Sequence, residues 1–196
     1  FAAFDHDRDD VLKRALDNGV AVINVGTQRD TSQAAIALSE KYEKGVYAII
    51  GIQPIHTSKS FHDTKELGDE GKEFTSRGEV FEYEFYKKLA LHTKVVGIGE
   101  CGLDYYRIEH EGWSMEQKRQ EEAFRKQIEL AISVKKPLML HLRNGSGRSA
   151  YKDAFSILNS YSILHNSWPR CNLHFFAGSV EEAKPFLDMD CTFSFT

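Results

Sequence analysis

Six short apolar runs punctuate the chain, at residues 20–25, 46–52, 95–100, 137–142, 171–176 and 191–195, and all but the last lead into a stretch of helical periodicity. Val20-Ala-Val-Ile-Asn-Val25 and Pro137-Leu-Met-Leu-His-Leu142 are too apolar for strands with one face in water. Strands of that kind, alternating with helices, build a parallel sheet covered by helices: an α/β architecture, either doubly wound or closed into a barrel. The helices are legible from their spacing. Residues 5–18 put Val11, Leu12, Ala15 and Leu16 on one face before the stop Asn18-Gly19, and Thr31 or Ser32 can cap a second helix carrying Ala35, Leu38 and Tyr42. Phe81, Phe85 and Leu89 mark a third over 79–92; Phe124, Ile128, Ala131 and Ile132 mark a longer one over 115–134; Ala150, Ala154, Ile157, Leu158 and Tyr161 mark another over 149–161. Ser179 with Glu182 forms a capping box, and Pro185 in the second turn predicts a short or bent last helix. Residues 57–78, polar and rich in Lys, Glu, Asp, Ser and Gly, are too long for a tight connection and read as an excursion over the surface.

Composition narrows the function classes. In 196 residues, 41% are hydrophobic and 28% charged, enough for one sizeable core. Twenty-five basic against 29 acidic side chains leave a net charge of −4, which argues against an electrostatically driven binder of duplex DNA and leaves nucleic acid open as an enzyme's substrate. No apolar run approaches the ~20 residues of a membrane span, and no basic-then-apolar leader opens the chain, so the expectation is a cytoplasmic protein with no membrane partner. Cys101, Cys171 and Cys191 are widely spaced without a C-x-x-C pair and read as buried thiols.

In both architectures the functional groups gather at the carboxyl ends of the strands. The residues found there are Gln53 and His56 after the second run, Glu100 and Asp104 after the third, His141 and Arg143 on the fourth and His174 on the fifth. A lone strand-end histidine is more often a structural group, but a carboxylate and two imidazoles from three successive strand ends make a divalent-metal constellation suited to Zn or Mn. Gly97-Ile-Gly-Glu-Cys-Gly102 also matches the dinucleotide fingerprint G-x-G-x-x-G, yet Leu103-Asp-Tyr-Tyr-Arg107 follows where a helix should open, so that reading is set aside. Asn144-Gly-Ser-Gly-Arg148 lacks the lysine of a phosphate loop, and no G-x-S-x-G elbow supplies a serine nucleophile. Metal-activated water is the expected nucleophile.

Gly97-Ile-Gly-Glu-Cys-Gly-Leu-Asp-Tyr-Tyr-Arg107 resembles the most distinctive signature of the TatD family of metal-dependent deoxyribonucleases, which are amidohydrolase-like TIM barrels. Val22-Ile-Asn-Val-Gly-Thr27 is similar to the family's second strand, His141-Leu-Arg143 to its H-x-R motif and His174-Phe-Phe-Ala-Gly-Ser179 to its late H-[CF]-F-x-G-S motif, while Gln117, Phe124 and Gln127 fall where it carries a Q-x(6)-F-x-x-Q helix. The resemblance implies an incomplete (β/α)8 TIM barrel with strands 2–7 of eight present. Residues 1–196 would form a single, partial domain, with the H-x-H pair of the first strand and the aspartate of the last outside it. It implies two divalent ions, Mg, Mn or Zn, with Glu100 as the bridging catalytic ligand and His141 and His174 completing the protein ligands of one ion, so that at most one well-liganded site lies in this chain. Asp104 would orient a ligand histidine. Arg143, Arg107 and Tyr106 would contact single-stranded DNA, with Tyr105 and Tyr106 either stacking on bases or packing as wall. Where many relatives have a histidine this chain has Gln53, and His56 either takes over a nearby role or is a solvated loop histidine. The implied activity is 3′–5′ exonuclease action on single-stranded DNA, with little or none from residues 1–196 alone and no stable protein partner. The rival expectations are amide or ester hydrolysis within the same superfamily, such as D-aminoacyl-tRNA deacylation, and a non-catalytic remnant.

Overall fold

The apolar runs pair with one another in chain order. The structure, a computed structural model, describes residues 4, 6–59, 61–62, 74–106, 108, 113–166 and 168–195. Its elements are α1 (Arg8–Asp17), β1 (Val22–Val25), α2 (Arg29–Glu40), β2 (Val46–Ile50), a 3-10 turn (Pro54–Thr57), β3 (Phe61–His62), β4 (Phe74–Thr75), α3 (Tyr83–Ala90), β5 (Val95–Asp104), α4 (Trp113–Val134), β6 (Leu138–Arg143), α5 (Ala150–His165), β7 (Cys171–Leu173), α6 (Val180–Leu187) and β8 (Thr192–Phe193). Six strands form one parallel sheet in the order β1-β2-β5-β6-β7-β8, and β3 and β4 pair antiparallel within the polar excursion. Each strand of the large sheet lies beside its predecessor, so the order never reverses. A doubly wound sheet needs such a reversal; steady progression through right-handed crossovers instead keeps the helices on one face and curls the sheet. The architecture is α/β, an incomplete (β/α)8 barrel.

Burial follows from that curl. Ala48 and Ile50 of β2 and Leu138, Leu140 and Leu142 of β6 are buried in one core with Ala35 and Ile36 of α2, Tyr86 and Ala90 of α3, Phe124, Ile128 and Ala131 of α4, and Ala154, Ile157 and Leu158 of α5. The alternate residues Tyr47, Ile49, Met139, His141 and Arg143 are only partly buried. On β2 and β6 the helix-covered face holds the core and the opposite face is partly buried, whereas β5 is buried at nearly every position.

Several boundaries differ from the sequence expectation. β5 continues to Asp104 straight through the G-x-G-x-x-G match, so no helix opens at Gly102, as a dinucleotide site would require. β7 stops at Leu173 because Phe175, at φ 53°, turns the backbone out of the extended region. The capping box at the start of α6 is present: the Glu182 amide donates to Ser179 Oγ at 3.2 Å and the Ser179 amide to Glu182 Oε2 at 3.0 Å. That helix is short, as Pro185 implied. All three cysteines are free and buried. Among the described residues no helix is long and apolar enough to cross a membrane.

Candidate functional site

The chemistry of the site begins with a mismatch between β5 and β6. Ile98 pairs with Leu138 and Cys101 with Leu140, so three steps along β5 answer two along β6. A bulge of this kind re-aims one side chain, and the residue gained here lies at Gly99-Glu100. Glycines on either side make the close approach possible. Gly99 has φ +151° and Gly102 φ +141°; a Cβ on Gly99 would lie 2.5 Å from the Met139 carbonyl oxygen, and one on Gly102 2.2 Å from that of His141. Gly102 pairs directly with His141 and Asp104 with Arg143, so the local sequence G-E-C-G-L-D sets two carboxylates against one imidazole.

His141 is the hub. Its Nε2 lies 2.8 Å from Asp104 Oδ2, its Nδ1 3.1 Å from Glu100 Oε1, and the Gln53 amide nitrogen is 3.3 Å from the same Nδ1. Burial disfavours charge on the imidazole, but hydrogen bonds to Asp104 and Glu100 and their negative charges outweigh it and lift the pKa to about 9. Asp104 is the mirror case: burial pushes its pKa up, while the His141 hydrogen bond and charge, the Tyr106 amide and Arg143 bring it below the usual carboxylate range. Its Oδ1 accepts from the Tyr106 amide at 3.0 Å while Oδ2 faces His141, so both oxygens are engaged. In the tautomer with Nε2–H directed at Asp104, Nδ1 beside the Glu100 carboxylate is the nitrogen left that could hold a metal. Carboxylate plus imidazole is a donor set that fits a divalent cation, and such a cation would compete with a proton for Nδ1.

His174 lies at the end of the neighbouring strand. Its backbone amide donates to the Leu140 carbonyl at 2.9 Å, which sets it beside the His141 end of β6, and its Nδ1 is 3.1 Å from Ser194 Oγ. Glu100, Asp104 and Gln53 are therefore brought together around His141, while the hydrogen-bond partner of the His174 ring is Ser194. Among the described residues no group of three or more His, Cys, Asp or Glu side chains is gathered tightly enough to cage an ion.

The flanking candidates divide. The Arg143 guanidinium carbon stacks 3.7 Å over the Tyr106 ring, and Tyr106 is 55% exposed. Tyr105 is fully buried, its hydroxyl 3.0 Å from Asp153 Oδ2, so it is wall and not a stacking platform. Arg107 lies outside the described residues. The solvated-loop reading of His56 is corrected: it is buried in the 3-10 turn, with Nε2 3.3 Å from the Gln28 amide nitrogen. Two further residues carry the site from behind. The Gln120 side chain accepts from the Asp104 amide and donates to the Asp104 carbonyl, both at 2.8 Å, and Gln127 does the same for Ile52 at 2.9 and 3.0 Å. Gln117, the glutamine the helix motif pointed to, instead accepts from Arg148 at 2.6 Å. The signal for Gln120 was its seven-residue spacing from Gln127, which places both on the face that Phe124 buries.

A protein-family model described as TatD related DNase matches residues 1–196. The 3'-5' ssDNA/RNA exonuclease TatD of Cronobacter sakazakii is 32% identical over 186 residues, covering 92% of this chain and 57% of that protein. The uncharacterized metal-dependent hydrolase YabD of Bacillus subtilis is 31% identical over 194 residues, covering 98% and 63% respectively. Among solved structures, the TatD homolog YJJV of Escherichia coli superimposes with a TM-score of 0.70 at 23% identity, over 98% of this chain and 63% of that one, a likeness of fold. The chain thus spans about 60% of the length of these relatives.

Proposed function

The chain belongs to the TatD related DNase family, and from that premise we propose divalent-metal-dependent hydrolysis of phosphodiester bonds as the activity, with single-stranded DNA, shortened from its 3′ end, as the whole protein's substrate. The observation that carries this reading is the contact between Glu100 and His141 at adjoining strand ends, with Asp104 behind the imidazole. One or two bound divalent ions, Mg, Mn or Zn, would supply Lewis acidity at a phosphoryl oxygen and a water of lowered pKa. Glu100 would bridge the ions, and His141 Nδ1 and the His174 imidazole would complete the ligands of one of them. Asp104 keeps Nε2 of His141 protonated and the ring fixed. Arg143, stacked on Tyr106, presents positive charge for a substrate phosphate, and Tyr106 offers ring surface for a base; Arg107 has the same proposed part in phosphate contact. Free thiols accord with the cytoplasm as the place of action.

The test has two arms. Calorimetric titration of residues 1–196 with Mn(II) should show binding that falls about 10- to 100-fold or disappears in Glu100→Ala and His141→Ala. Digestion of 3′-labelled single-stranded DNA, expected to be weak or nil with residues 1–196 alone, should be abolished by EDTA and by Glu100→Ala wherever it is seen. Manganese binding indifferent to both substitutions, or cleavage indifferent to chelator, would overturn the proposal.

A further inference from the structure

Two glutamines on one face of α4 each grip a strand end from behind, and both grips lead to His141. Gln120 closes a two-bond ring on the backbone amide and carbonyl of Asp104, whose carboxylate contacts His141 Nε2. Gln127, two turns further along, closes the equivalent ring on Ile52, the residue before Gln53, whose side-chain amide reaches His141 Nδ1. Both glutamines are buried, at 6% and 0% exposure, with Phe124 fully buried between them. A primary amide presents one donor and one acceptor in a fixed plane, the complement of a peptide group, so each ring fixes a strand end in rotation as well as in distance. These are β5's last residue and the position just past β2; the next amide along, Tyr105 or Gln53, still donates to a neighbouring segment, at Arg143 and Thr27, and the glutamine rings add a second hold on the residues that carry or precede Asp104 and Gln53.

We propose that Gln120 is a positioning residue for the site: by clamping the Asp104 backbone it aims the carboxylate at His141 Nε2 and so sets which imidazole nitrogen is offered to a metal. Gln127 has the same part, more weakly, through Gln53. This rests on the reading of His141 as a metal ligand only for its consequence; the clamp itself concerns the Asp104–His141 contact and can be measured without any ion.

The experiment compares residues 1–196 with Gln120→Met, Gln127→Met and Phe124→Leu, the last being a core lesion on the same helix face that leaves both amide rings intact. Proton–nitrogen NMR of the histidine side chains reads the His141 Nε2–H, which the Asp104 hydrogen bond shifts downfield and shields from exchange. The expected result is that the signal persists in wild type and Phe124→Leu, is lost in Gln120→Met and persists with altered shift in Gln127→Met. Addition of Co(II) should then show visible absorption bands in wild type and Phe124→Leu, with affinity reduced about 10-fold or more in Gln120→Met. An Nε2–H signal unchanged in Gln120→Met, or lost equally in Phe124→Leu, would overturn the clamp. A wild type that shows the NMR pattern but no Co(II) bands would leave the clamp standing and sink the metal reading.

Discussion

The two histidines proposed as ligands of one metal sit in unlike surroundings. His141 lies on a six-residue strand beside a ten-residue one, meets two carboxylates and an amide, and is backed by a helix that grips the strand ends. His174 follows a three-residue strand whose next neighbour has two, and one hydroxyl holds its ring. The difference lies in the side chains' own partners: two carboxylates and an amide surround the His141 ring and one hydroxyl meets that of His174, although the amides of His174, Phe176 and Ser194 all donate to neighbouring backbone carbonyls.

That contrast can be broken most violently at the glycines. Gly102→Ala forces a Cβ to 2.2 Å from the His141 carbonyl at a φ of +141°, and should cost about 4 kcal/mol or more, seen as a large drop in urea midpoint or loss of soluble protein. Gly147→Ala, at φ +77° but with nothing within 4 Å, should cost only about 1 kcal/mol. Equal losses would show that the β5–β6 approach is not what makes the region rigid. Next in size, His141→Ala leaves two carboxylates facing each other and should lose about 3 kcal/mol in urea denaturation with chelator present, against less than about 1 kcal/mol for His174→Ala. Similar values would erase the asymmetry.

How far these features could be read beforehand follows the same divide. Hydrophobic periodicity located all six strands of the large sheet and their helices, because burying an apolar face leaves a mark on every second or third residue. It could not order the strands, since parallel pairing of distant segments has no local signature; only the resemblance singled out the barrel. The reach of β5 to Asp104 was hidden because G-E-C-G-L-D carries two glycines and two charges, the composition of a loop, and what keeps it extended is the neighbouring β6 backbone. Glu100, Asp104 and His141 were legible as polar residues closing apolar runs. Gln120 had only its seven-residue spacing from Gln127 to mark it, and the sequence left Tyr105 open between wall and stacking platform and His56 between a site role and a solvated loop, because burial of aromatic and imidazole rings in loops has no period.

The smallest expected effect concerns the link between the two sides. Glu182, at the start of α6, accepts from Asn144 after β6 at 2.9 Å, from the Ser149 hydroxyl at the start of α5 and from its own cap at Ser179, so one carboxylate ties the end of β6 and the start of α5 to the start of α6. Burial raises its pKa, but the hydrogen bonds from Ser149, Ser179 and Asn144 outweigh that and lower it from 4.5. A depressed folded pKa means the contribution is fully present above the unfolded value of about 4.5 and lost as pH falls through the folded one. Thermal melts of wild type and Glu182→Gln should therefore differ at about pH 6 and converge as pH falls from 4.5 through the depressed folded pKa. Amide exchange at pH 6 should quicken in the Glu182→Gln variant around β7 and α6 while β5 and β6 keep their protection. If exchange quickens equally in all four elements, the two sides form one cooperative unit, and the contrast between the histidines is a matter of their side chains alone.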